Sequence, residues 1–321
     1  VRAAVCPQYG PPEVVRVEEV PDPVAGSGQV VVAVAAAAVN YPDVLLVADS
    51  YQVSVPVPFV PGSEFAGVVT DTGSGVTDFA VGDRVTGTGM VGAFAQRVAV
   101  DATMLAHLPD GIDVRTAAAF GVAHRTAYHS LRSVARLSEG DELVVLGAGG
   151  GVGLAAVQLG TALGARVTAV ASSAEKLAAA AEHGAQNLVD HRVGDLRGAL
   201  RGCVPGGADV VLDPVGGDLS EPALRSLRRG GRFVTVGFAS GTIPKIPLNL
   251  VLIKGIHVLG FQFQDIPADE FTRNEAELRE LLVAGRAAPH IGAVYPLDDT
   301  AAALRHVGDG RAVGKVVIDL S

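Results

Sequence analysis

The sequence predicts an α/β protein in which a doubly wound, six-stranded parallel sheet is inserted in a discontinuous, mainly β domain. Three observations carry that prediction. From about Ala117 onward, apolar runs of strand length alternate with helical segments through short connections, the pattern of a parallel sheet covered on both faces. From Val1 to about Leu108 the chain is rich in Val, Gly and Pro instead, and turn signals such as "PVAGSGQ", "GSGVTDFAVGD" and "LPDG" cut it into short strands of an irregular barrel or sandwich. Finally, "VVLGAGGGVGLAAVQLG" (Val144 to Gly160) carries five glycines within seven residues, directly after an apolar run. Glycine loses backbone entropy wherever the chain is ordered, so crowding it there needs a reason.

Taken in order, "VVVAVAA", "FAGVVTDTG", "DRVTGT" and "FAQRVAV" supply strands of the first domain. "TAAAFGVAHRTAYHSL" reads as helix. "ELVVLGA" is then a buried strand with "VGLAAVQLGTALGA" as its helix, and "RVTAVAS" a second strand followed by the helix "SAEKLAAAAEHGA". "NLVDH" leads into the short helix "VGDLRGALRG". "ADVVLDPVG" and "RFVTVGF" are two more strands around the helix "SEPALRSLRRGG", and "HVLGFQF" is the sixth. This succession is that of the dinucleotide-binding fold. The tail supplies the amphipathic helix "DEFTRNEAELRELLVAGRA", a further helix and a last strand. With the sheet complete by about Phe263, the tail is expected to rejoin the first domain, giving residues 1–118 with 264–321 and an inserted domain at 119–263.

The composition narrows the partners. The 321 residues are 49% hydrophobic and 18% charged, enough for a substantial core. A net charge of −9, with Lys and Arg scattered singly, argues against a nucleic-acid groove or an anionic membrane surface. The two cysteines, Cys6 and Cys203, form neither a disulfide framework nor a Cys-x-x-Cys pair, as expected in a reducing cytoplasm. "VRAAVCPQYG" lacks the apolar centre of a signal peptide, and Val30–Val39 falls short of the ~20 residues of a spanning helix. A soluble, cytoplasmic protein is expected.

Alone, the glycine pattern would also suit an unliganded strand-to-helix turn. Within six alternating strands it reads as a phosphate cradle, whose amides and helix N-terminus face a pyrophosphate. Gly147-x-Gly149-x-x-Val152 fails the usual spacing, Gly151-x-Gly153-x-x-Ala156 meets a looser form, and Gly147-x-x-Gly150-x-x-Gly153 is a third register. The second strand chooses the nucleotide. It ends in Ser172 and Ser173 with no acid before Glu175, whereas an NAD site carries a carboxylate there for the ribose. Serine hydroxyls with Lys176, and His191 and Arg192 after the third strand, suit a 2′-phosphate, so the expected cofactor is NADPH.

Several separated motifs then resemble the medium-chain dehydrogenase/reductase superfamily, and more closely its zinc-independent quinone oxidoreductases, the zeta-crystallin-like branch. They are "VNYPDVLLVADSYQ", "PFVPGSEFAGVV", "GDRV", "TAYHSL", the glycine loop, "DPVGG" and "GKVV", in this order over nearly the whole chain. The resemblance implies a GroES-like catalytic domain built from both chain ends, an inserted Rossmann domain, an active site in the cleft and a homodimer. It implies that Asn40 holds the nicotinamide ribose or carboxamide, that Tyr51 lies at the substrate end, and that Thr126, Val215, Gly237, Phe238, Phe261, Gln262, Arg311 and Lys315 contact the cofactor with Gly147, Gly150, Gly151, Val152 and Gly153. The edge strand "HVLGF" is the expected dimer seam.

Where zinc dehydrogenases carry a Cys and a His, this chain has Asn40 and Ser63, poor ligands that leave Glu64 and Asp43 without soft partners. No metal is therefore expected, and Glu64 is expected to orient backbone or loop groups. Asp43 is read as the cap of the helix "PDVLLVA". Without a Lewis acid, alcohol oxidation loses its means of stabilising an alkoxide, whereas hydride donation to a conjugated acceptor needs less help. The expected reaction is hydride transfer from NADPH to a quinone. Its rivals are an enone or 2-enoyl-thioester reductase, a nucleotide-binding structural or regulatory protein and, last, a zinc alcohol dehydrogenase. The histidines, His124 and His129 among them, are read as structural or solvated.

Overall fold

A computed structural model describes all residues, Val1–Ser321. They form two compact units, Val1–Val122 with Pro289–Ser321, and Ala123–Ala288. None of the helices is long and apolar enough to cross a membrane.

The first unit opens with an antiparallel pair, β1 (Arg2–Val5) and β2 (Arg16–Glu19). The long β3 (Gln29–Val39) leads into helix α1 (Tyr41–Val47), then β4 (Glu64–Thr72), β5 (Arg84–Thr88), β6 (Arg97–Asp101) and β7 (Leu105–His107). Helix α2 (Val114–His129) carries the chain into the second unit and ends in one π-helical turn, Ser130–Val134. In β3 both faces are covered, which explains its unalternated "VAVAAAAV". Ala37 and Val39 join a core with Phe65, Phe94 and Ile318, while Ala36 and Ala38 pack with Ala66, Ala118 and Val317.

The second unit contains β8 (Glu142–Leu146), α3 (Gly151–Ala162), β9 (Arg166–Ala171), α4 (Ala174–Glu182), β10 (Asn187–Asp190), α5 (Leu196–Cys203) and β11 (Ala208–Asp213). It continues through α6 (Ser220–Ser226), β12 (Leu227–Thr235), α7 (Leu248–Lys254), β13 (His257–Gly260) and α8 (Ala268–Val283). The strand order is β10-β9-β8-β11-β12-β13, every pair parallel. The order therefore reverses between β8 and β11, the point where such sheets bind ligands at their C-terminal ends. The chain then returns to the first unit as β14 (Ile291–Pro296), α9 (Thr300–Gly308) and β15 (Lys315–Asp319), and β15 pairs with β3.

Two expectations are corrected. Helix α8 belongs to the second unit, so the first unit resumes at Pro289 rather than at residue 264. The reason is a buried polar seam: Asn274 donates to His129 Nδ1 (3.1 Å) and Ser133 Oγ (2.9 Å), and Glu275 Oε1 lies 2.7 Å from His129 Nε2. Helix α6 stops at Ser226, because "LRRGG" already belongs to β12. The sequence reading also passed over α7 and β14.

Candidate active and dinucleotide sites

In the first unit, strand register brings three polar side chains to one spot. Val316 stands opposite Val39, which sets Lys315 beside Asn40, and Ala38 stands opposite Glu64. Lys315 Nζ donates to Asn40 Oδ1 (2.6 Å), Glu64 Oε1 (2.7 Å) and Val39 O (3.4 Å). Asn40 Nδ2 donates to Glu64 Oε1 (2.9 Å) and Ser63 Oγ (3.1 Å), while Glu64 Oε2 accepts from the Val122 N–H (2.8 Å). Glu64 thus holds one backbone N–H of α2 together with the Asn40 and Lys315 side chains. Lys315 is 4% exposed and Glu64 1%, so the pair is shielded from solvent.

Asn40 is the N-cap of α1, and its N–H donates to Asp43 Oδ2 at 2.7 Å. Asp43 is therefore not the cap but the third helical residue, facing back in a capping box. Its carboxyl is fully buried, and desolvation pushes its pKa up to about 7 against the opposing pull of the Asn40 N–H, Ser63 and Lys315. Oδ1 has no hydrogen-bond partner.

Both amide hydrogens of Asn40 are engaged within the network and Oδ1 accepts from Lys315, leaving one lone pair of that oxygen, and all three donors of Lys315 are engaged too. Arg311 is exposed beside Asp309 (3.6 Å). Tyr51 is half-buried against the first unit's core.

The donor chemistry does not fit a catalytic zinc. Asn40 and Ser63 are neutral oxygen and nitrogen groups held by each other and by Glu64, and both Glu64 oxygens are engaged. No three His, Cys, Asp or Glu side chains are grouped to hold a metal ion.

In the second unit, the expected dinucleotide contacts other than Thr126 follow the C-terminal ends of the six strands. After β8, Gly147 takes a left-handed φ of +61°. Gly150 caps α3 without a side chain, so the first-turn N–H groups of Gly151, Val152 and Gly153 are left open to an anion. A Cβ on Gly153 would fall 2.0 Å from Gly147 O, so these two glycines permit the close packing of turn and helix. That contact joins the first and last glycines of the register Gly147-x-x-Gly150-x-x-Gly153.

Beyond β9, Ser173 caps α4 by accepting from the Lys176 N–H (3.3 Å), while Lys176 Nζ reaches Ser172 Oγ (3.4 Å). The Lys176 stem packs on Gly149, where a Cβ would meet it at 2.4 Å. Burial, followed by the Arg192 charge, lowers the Lys176 pKa. Burial also lowers that of His191, with the Asp190 carboxylate opposing and Arg192 and Lys176 adding repulsion. Lys176, Arg192, the imidazole of His191 and the serine hydroxyls thus stand at the ends of β9 and β10, together with the Asp190 carboxylate.

After β11, Val215 meets Gly147, whose missing Cβ would lie 2.7 Å from Val215 Cγ2. Asp213 holds this turn: fully buried, it accepts from the Val215 and Gly216 N–H groups (2.8 Å each) and the Ser220 hydroxyl (2.6 Å). Sequence reasoning missed that role, although "DPVGG" marked the place. The turn after β12, which contains Gly237 and Phe238, is tied to it by Ala239 N–H to Pro214 O (3.1 Å) and Ser240 N–H to Val215 O (2.9 Å). Phe261 is buried beyond β13, edge-on to Phe263, and Gln262 is exposed. Thr126 is buried in α2, one turn before His129.

Two family patterns match the chain: an alcohol dehydrogenase GroES-like domain over residues 26–110 and a zinc-binding dehydrogenase over residues 151–280. The chain is 37% identical over 326 residues to quinone oxidoreductase-like protein 2 of Bos taurus, covering 99% of this chain and 92% of that protein. It is 34% identical over 310 residues to a mycocerosic acid synthase-like polyketide synthase of Mycolicibacterium smegmatis, covering 92% of this chain and 14% of that one. Among solved structures, Escherichia coli quinone oxidoreductase complexed with NADPH superposes with a TM-score of 0.92 at 28% identity, covering 99% of this chain and 100% of that one.

Proposed function

The chain belongs to the quinone oxidoreductase family of the medium-chain dehydrogenases/reductases, and from that premise we propose that it is a zinc-independent NADPH:quinone oxidoreductase. The observation that carries the cofactor is the pairing of an open glycine cradle after β8 with Ser172, Lys176, His191 and Arg192 at the ends of β9 and β10, where no carboxylate takes the ribose position. When bound, NADPH supplies the hydride. The α3 N-terminus holds the pyrophosphate, and Lys176 with Ser172 and Arg192 holds the 2′-phosphate. Asp213 keeps the Val215 turn against the glycine loop. Asn40, through the lone pair of Oδ1 that Lys315 leaves unused, is the proposed nicotinamide contact, and Tyr51 the proposed donor to the acceptor.

A quinone suits this donor set because its conjugated oxygens spread the incoming negative charge, so positioning and polar hydrogens suffice without a Lewis acid. The likeness to a polyketide synthase favours a second reading, reduction of an enone or enoyl-thioester C=C bond. A panel of quinones, enones and enoyl thioesters, assayed with NADPH and with NADH, separates these readings. Negligible oxidation with every quinone beside fast enone reduction would replace the first by the second.

The assembly we propose is a homodimer joined through the edge of the six-stranded sheet. β13 is the terminal strand there, and Val258 on it, with Leu248 (76% exposed), Leu252 (83%) and Ile253 on the preceding helix α7, are exposed apolar side chains. The free cysteines Cys6 and Cys203 support a reducing, cytoplasmic setting.

A further inference from the structure

The charges of the buried network in the first unit are uneven. Lys315 supplies one positive charge, and Glu64 matches it at 2.7 Å. Asp43 would add a second negative charge in a fully buried place with no second cation. Taking a carboxylate out of water without a counter-ion is so unfavourable that the group takes up a proton instead. The hydrogen bonding agrees. Oδ2 accepts from the Asn40 N–H and Oδ1 has no partner, so little hydrogen bonding repays the desolvation of a full charge, which costs more than an unpaired neutral O–H. Glu64 from β4 and Lys315 from β15 are the charged groups acting on Asp43, with the Ser63 hydroxyl and the Asn40 amide as its neutral neighbours. The N-terminus of α1 favours an anion, and Lys315 does too, yet burial outweighs both.

We propose that Asp43 works as a neutral carboxylic acid, a positioning residue that keeps Asn40 and the Lys315–Glu64 pair in register, and that its ionisation sets the upper pH limit of turnover. The part concerning turnover rests on the function proposed above. When Asp43 releases its proton to solvent, a second anion competes with Glu64 for Lys315. Asn40, bonded to Lys315 and Glu64 by its side chain and to Asp43 by its N–H, is pulled out of place.

The test combines a direct readout with a kinetic one. In the wild-type chain, the assigned Asp43 γ-carbon is followed by NMR from pH 5 to 9, in the absence of nucleotide. A γ-carbon shift showing a protonated carboxyl at pH 6 that titrates near neutrality is the expected result, and a shift showing an ionised carboxylate at pH 6 overturns the proposal. In parallel, kcat/KM with NADPH and a quinone is compared between wild type and Asp43→Asn, an isostere of the neutral acid. Wild type should lose about tenfold or more between pH 6 and pH 8.5, a step absent from Asp43→Asn. The same step persisting in the variant overturns the proposal. Should no acceptor be turned over, the functional reading fails, and the carbon titration still decides the state of Asp43.

Discussion

Lys315 Nζ lies 2.7 Å from Glu64 Oε1, and the two buried side chains join the last strand of the chain to β4 across 251 residues. Removing one partner leaves an uncompensated buried charge. Glu64→Gln or Lys315→Met is therefore expected to lower unfolding free energy by about 3–5 kcal/mol, whereas the double variant Glu64→Gln/Lys315→Met should lose less than the sum of the two. Urea unfolding of the four chains measures this. Additive losses would show that the two side chains do not act as a pair.

The cluster around Lys176 makes a prediction about cofactor choice. Lys176→Ala should weaken NADPH binding by ~1.5–3 kcal/mol, roughly ten- to a hundredfold, and leave NADH nearly unchanged. Fluorescence titration with both nucleotides checks it. Equal losses for the two would place Lys176 away from the 2′-phosphate.

Asp43 also makes a prediction about stability that needs no ligand. An unfolded chain returns its carboxyl to the ordinary 3.8, against about 7 in the folded protein. Between those values the folded state holds a proton that the unfolded state has lost. This contribution is thus full below pH 3.8 and is lost as the pH rises to about 7. Asp43→Asn lacks it, so the melting temperature of the variant relative to wild type should climb between pH 4 and pH 7. A pH-independent difference would contradict the buried acid.

The exposed apolar side chains of α7 and β13 carry the prediction about assembly. Leu252→Glu, on a side chain 83% exposed, should turn a sedimenting dimer into a monomer without loss of fold. A wild-type monomer at micromolar concentration would remove the proposed seam.

How far the sequence was legible follows from the range of each interaction. The strands from Glu142 to Gly260 could be read because each is a local apolar run closed by a turn, and the glycine loop because its spacing is local. Helix α8 was assigned to the wrong unit because its face is decided by Asn274 and Glu275, whose partner His129 lies 145 residues earlier for Asn274 and 146 for Glu275. The same holds in the first unit. "NYPD" and "GSEFAG" drew attention to Asn40 and Glu64, but no local pattern shows that Lys315 links them, or that one Asp43 oxygen is left unpaired. Ser220 is a milder case: seven residues from Asp213, it is within motif range, yet its hydroxyl bond depends on how the turn closes.

The central claim is metal-free hydride transfer from NADPH to a conjugated acceptor, and its most direct test is the acceptor panel run on chelator-treated enzyme. The account predicts NADPH oxidation with quinones at a rate unchanged by chelation or by added zinc. Turnover confined to simple alcohols and dependent on stoichiometric zinc would contradict it.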